Sequence, residues 1–177
     1  MIFIPGQLIS AVTFPGVIVH EFAHHLFCKI TKTPVIDVCY FRFGNPAGYV
    51  VHEKPKDLKT SLLIDIGPFF VNNLLGILLT LPSAMPVFKF GSGDVLDYML
   101  LWLGISILMH SFPSRGDAKA LMASINGTKG SLPLKILCYP IVVVINTFAF
   151  GSIFWLDLVY GIALAMVIPN LLLGLLT

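Results

Sequence analysis

Five apolar runs take up most of this chain, at about residues 3–30, 60–82, 95–113, 134–153 and 155–176. Each is close to the ~20 residues an α-helix needs to cross the hydrocarbon core of a bilayer. Charge is too scarce to coat a water-soluble globule. Of the 177 residues 56% are hydrophobic and 11% charged, against about 25% charged in an ordinary soluble domain. Disordered chains are poor in apolar residues, so disorder is excluded as well. A net charge of +2 with no basic cluster argues against a nucleic-acid partner. The expectation is a single all-α polytopic membrane domain of about five spans, with the lipid bilayer as its surroundings.

The N-terminal run lacks a basic leader and a small-residue cleavage site, so it is read as the first membrane helix rather than a removable signal. The last two runs are separated only by a short turn near Gly151 to Asp157 and should form a tight helical hairpin. Residues 34–53 differ in kind. Val35 to Phe43 is β-branched and aromatic, Gly44-Asn45-Pro46-Ala47-Gly48 is turn chemistry, and Tyr49 to His52 follows. This predicts a β-hairpin at the membrane interface or against protein, since open strand edges do not survive in lipid. Cys28, Cys39 and Cys138 are an odd count without CxxC spacing, which fits small buried hydrophobes.

Ten of the eleven basic residues fall in the connections 29–60 and 114–135, and only Lys89 falls in 83–94. With five spans, both rich connections lie on one side, the cytoplasmic one by the positive-inside rule. The N-terminus is then outside and the C-terminus inside. The expected location is a prokaryotic plasma membrane.

The chemistry begins at His20-Glu21-Phe22-Ala23-His24. Histidines at i and i+4 share a helix face and can bind one zinc ion, with the intervening glutamate placed as general base. Ionisable residues after an apolar membrane run are functional candidates by default. His25 points about 100° away from His24 and is read as a supporting or interfacial residue.

A catalytic zinc site takes three protein ligands and keeps one position open. At 1.5 Å per residue, His20 and His24 lie near the cytoplasmic boundary. Asp94, Asp97 and Asp157 fall on the outer side. Asp117, Asp65 and His110 lie at a compatible depth. His110-Ser111-Phe112-Pro113-Ser114-Arg115-Gly116-Asp117 favours Asp117, because Pro113 and Gly116 break the third helix and let a carboxylate turn toward a metal. Asp117 also suits the N-cap of a helix over 118–125. Asp65 and His110 are secondary candidates, better suited to polar packing.

With these residues in place, the chain resembles the site-2 protease family of intramembrane zinc metalloproteases. That family carries HExxH on one core helix, a glycine-proline-asparagine element on the next, and an aspartate ligand in a broken third helix. Here these are His20-Glu21-Phe22-Ala23-His24, Gly67-Pro68-Phe69-Phe70-Val71-Asn72-Asn73, and Phe112-Pro113-Ser114-Arg115-Gly116-Asp117. The resemblance covers about residues 10–125, which leaves 134–176 as two accessory helices without a motif. It implies one Zn²⁺ per chain held by His20, His24 and Asp117, and Glu21 as the catalytic acid–base. It implies a transmembrane protein or peptide as substrate. Asn72 or Asn73 would hydrogen-bond the substrate backbone or the oxyanion, or else join helices. The 34–53 hairpin would pair with an unwound substrate strand, or simply cap the interface. Two other readings are a catalytically silent metal-binding scaffold and a small ion or metal transporter.

Overall fold

The computed structural model describes residues 6–127 and 132–176. Lys129 and the first turn of the predicted first span, Ile2 included, lie outside them. The described chain is mostly helical, with one small antiparallel sheet: α1 (Gly6–Val12), α2 (Phe14–Ile30), β1 (Val35–Cys39), β2 (Tyr49–His52), α3 (Leu58–Ala84), α4 (Val95–Met109), α5 (Arg115–Gly127), α6 (Leu132–Gly151) and α7 (Leu156–Leu176). A π-helical turn, Met85–Phe90, prolongs α3.

Two helical stretches among the described residues are long and apolar enough to cross a membrane, Leu58–Phe90 and Leu132–Phe154. This is fewer than the five expected, and the reasons are local. The first run breaks at Thr13 (φ −109°, ψ 30°), two residues before Pro15. Pro15 lacks the N–H that would bond the Ala11 carbonyl in a continuous helix, and it sits instead in the first turn of α2, where that N–H has no helical partner. The third run stops at Met109, ahead of Pro113, and leaves a helix of 15 residues.

Helix α3 is the hub, packing most extensively on α4 and next on α2. It starts at Asp57, whose carboxylate accepts the Thr60 N–H at 2.8 Å. That amide holds the Asp57 carboxyl below its ordinary pKa. The cap is therefore fully present above about pH 4 and is lost as pH falls through the lowered pKa. Helix α5 is amphipathic: Ala118, Leu121 and Ile125 recur at helical spacing. They bury against Leu58 of α3 and against Cys138, Val142 and Ile145 of α6. Cys28 and Cys138 are buried free thiols, and Cys39 is half-buried and also free.

The predicted hairpin is present but its strands are short. Val35 pairs with His52 and Cys39 with Tyr49, with an irregularity between Val35 and Asp37. Residues 40–48 leave the ladder and fold on themselves: the Arg42 N–H donates to the Ala47 carbonyl at 2.7 Å, and Arg42 Nε to the Pro46 carbonyl at 3.0 Å.

Candidate metal centre

His20 and His24 stand one turn apart on the buried face of α2, with Nε2 atoms 3.2 Å from each other. The Asp117 carboxylate faces both, with Oδ1 3.5 Å from His24 Nε2 and Oδ2 3.9 Å from His20 Nε2. Among the described residues these three form one group of potential ligands, their ligand atoms within 4.8 Å of one another.

The backbone fixes both rings. His20 Nδ1 lies 2.7 Å from the His110 carbonyl, and His24 Nδ1 lies 2.9 Å from the Ile64 carbonyl. A carbonyl brings no hydrogen, so each Nδ1 must donate. In the neutral rings each Nε2 then carries a lone pair into the centre. With both rings neutral, two lone pairs and a carboxylate would converge with no hydrogen among them. A cation relieves that arrangement, and its separations suit zinc. Two nitrogens at about 2.0–2.1 Å from one tetrahedral ion stand about 3.3 Å apart. Anchoring of the outer imidazole nitrogen is also what metal-bound histidines show. The donor set therefore fits zinc.

The source of the Ile64 carbonyl explains Pro68. In an unbroken helix the N–H of residue 68 would bond the Ile64 carbonyl. Residue 68 is Pro68, which has no N–H, so that carbonyl is left for His24. The His110 carbonyl lies at the end of α4, where carbonyls have no helical partner. It accepts from His20 and, at 3.1 Å, from Asn72 Nδ2. Replacing Pro68 with Ala supplies the missing N–H. We expect Pro68→Ala to weaken zinc binding about tenfold while thermal stability holds or rises. Competition against a chelator of known affinity measures this, and unchanged affinity would show that the freed carbonyl does not orient His24.

Asp117 sits in the first turn of α5 and carries a second role. Its Oδ2 accepts the Ser114 N–H at 2.6 Å, so ligand position and helix start are combined in one carboxylate. Asp65 is buried on α3, accepts from Ser61 Oγ at 3.0 Å and lines the cleft, but it stays outside the three-residue group. The His110 ring turns away, with Nε2 2.9 Å from Thr13 Oγ1. Asn72 is fully buried and gives its amide hydrogens to the Gly16, Ile107 and His110 carbonyls. Asn73 donates to the Phe69 carbonyl and accepts from the Tyr160 hydroxyl at 2.6 Å. Neither amide lies among the cleft-lining residues. His25 packs outward, its Nδ1 hydrogen-bonded to the Tyr40 hydroxyl.

Two cavities flank Glu21. The larger, about 560 Å³, is lined by His24, Asp65, Arg115, Asp117 and the β2 residues Tyr49, Val50 and His52. The smaller, about 250 Å³, is lined by Ser10, Val17, His20, His110 and Phe112. Glu21, Asn45, Pro46, Gly48 and Ser114 border both. The 45–48 turn thus lies across the cleft at the glutamate. Gly48 is required there, because a Cβ would fall 2.6 Å from Glu21 Cγ and 2.9 Å from the Tyr40 carbonyl. Sequence reading assigned this turn only to hairpin chemistry, and it missed the two carbonyl anchors.

Comparison with models of protein families, with curated proteins and with solved structures finds no match for this chain.

Proposed function

We propose that this chain is an intramembrane zinc-dependent endopeptidase of the site-2 protease kind. The observation that carries the reading is the convergence of His20 Nε2, His24 Nε2 and the Asp117 carboxylate beside Glu21, in a cleft bordered by a β-strand. Residence in a bilayer is supported by the apolar side chains the helices turn outward. Leu74 is 61% exposed, Val95 76% and Val143 64%. Such a surface belongs in lipid rather than water. The basic residues of the 29–60 and 114–135 connections support a cleft near the cytoplasmic face, in a chain with five embedded helical segments.

His20, His24 and Asp117 would hold one zinc ion, whose Lewis acidity would polarise a peptide carbonyl and acidify water. Glu21 takes a proton from the attacking water and delivers it to the leaving amine nitrogen. The carbonyls of Ile64 and His110 keep both imidazoles turned inward throughout. A helical substrate hides its carbonyls in its own hydrogen bonds, so the bound segment is extended. That segment would lie in the cleft bordered by Tyr49, Val50 and His52.

The test uses the full chain in proteoliposomes with a transmembrane reporter. About one zinc per chain should be found. A chelator should abolish cleavage, and added zinc should restore it. Cleavage indifferent to chelation would overturn the reading. Stoichiometric zinc without cleavage of a varied reporter set would favour a silent scaffold, and zinc flux would favour a transporter.

A further inference from the structure

Helices α6 and α7 carry no catalytic motif, yet they grip the segment that presents the aspartate. The Phe112 ring stacks on Phe148 of α6, with centroids 3.5 Å apart and planes 10° from parallel. Tyr160 of α7 meets the same Phe112 ring edge-on at 4.8 Å, and Phe69 of α3 packs from a third side at 5.4 Å. The Tyr160 hydroxyl donates to Asn73 Oδ1 at 2.6 Å, which ties α7 to α3 at this point. The residue after Phe148 adds a second tie: Arg115 Nη2 donates to the Ala149 carbonyl at 3.4 Å. The held residues Phe112 and Arg115 bracket Ser114, whose N–H donates to Asp117 Oδ2 at 2.6 Å.

From this geometry we infer that Phe148 and Tyr160 are positioning residues for the metal centre, setting zinc affinity by holding Phe112 and, through Ser114, the Asp117 carboxylate. The inference rests on the zinc-site reading but not on proteolysis. Its physical basis is the broken backbone between α4 and α5. Residues 110–114 have no helical ladder to hold them, and a carboxylate on such a segment keeps its place only if something else fixes the chain. Stacked and edge-on rings fix it with directional contacts. The Tyr160 hydroxyl fixes the ring that does so.

Zinc affinity of the full-length chain in detergent, read by competition with a chelator, decides the matter without any activity measurement. Phe148→Ala should bind zinc about tenfold more weakly, the loss typical when an outer support of a ligand is removed. Tyr160→Phe keeps the ring and should lose about threefold. Phe148→Tyr keeps the stack and should retain wild-type affinity. The decisive arm repeats Phe148→Ala on an Asp117→Asn background. If the rings act through Asp117, the second substitution then adds no further loss. A role in folding alone would lower thermal stability and leave the affinity of the folded fraction unchanged, which overturns the inference. An equal tenfold loss on the Asp117→Asn background overturns it too. Should Phe148→Ala not fold, Tyr160→Phe decides by the same two comparisons. A wild-type chain that binds no zinc removes the metal reading itself, and the inference with it.

Discussion

Glu21→Gln is expected to keep zinc at about one ion per chain and to lower kcat/KM on a membrane-embedded reporter by about 10²–10⁴-fold, the usual contribution of a positioned proton-transfer group. A thousandfold loss corresponds to about 4 kcal/mol of transition-state stabilisation. The separation of the two effects follows from the geometry. The metal group consists of His20, His24 and Asp117, and Glu21 is not part of it. Glutamine keeps the shape of the side chain, so Cγ still fits beneath Gly48 and the 45–48 turn stays in place. It removes only the ability to accept a proton. His24→Ala is the contrasting change: it deletes a ligand and leaves the Ile64 carbonyl without its donor, so metal and activity should fall together. Glu21→Gln with near wild-type turnover would rule out Glu21 as the proton carrier. Loss of zinc in the same variant would move Glu21 into the ligand set.

Much of the centre is legible in the sequence, because helical periodicity is simple. Spacing of i and i+4 puts His20 and His24 on one face, and the structure has them there. Pro113, in the break between α4 and α5, points to Asp117, which lies 3.5 Å from His24, whereas Gly116 sits inside α5 and breaks nothing. What sequence could not give is direction across helices. Nothing in the spacing of Asn72 and Asn73 says that both amides are taken up by interhelical hydrogen bonds, which needs the facing carbonyls and Tyr160 in place. Pro68 stands in a recognisable motif, but its freed carbonyl acquires meaning only once α2 is packed against α3. The apolar runs and the helices differ in length for a related reason. Thr13 inside an apolar run reads as ordinary membrane helix, and the break it marks depends on Pro15 and on its bond to the His110 ring 97 positions away. Phe112, Phe148 and Tyr160 are unremarkable apolar residues in sequence and become a cluster only in three dimensions.

Gly16→Ala should be the most damaging conservative change in the chain. A Cβ at Gly16 would lie 1.9 Å from the Ser106 carbonyl oxygen and 2.5 Å from the His110 ring, so α2 and α4 would have to separate. The atom in the way is backbone on a neighbouring helix, not the tip of a flexible side chain. Overpacking of this kind costs about 1–3 kcal/mol, and more where the backbone must move. The damage would not stop at stability. Gly16 is one turn before His20, and its N–H donates to the Ser106 hydroxyl oxygen at 3.1 Å. Its own carbonyl is one of the three that receive Asn72 Nδ2. Moving α2 outward lengthens the His20–His110 contact, loosens Asn72, and removes the anchor that turns the His20 ring toward His24 and Asp117. Gly16→Ala is therefore expected to lower thermal stability in detergent and to weaken zinc binding in whatever fraction still folds. Gly6→Ala serves as the control, because a Cβ there meets nothing within 4 Å. If Gly16→Ala matched the control in both measurements, the close crossing of α2 and α4 would not be what sets His20 against the His110 carbonyl.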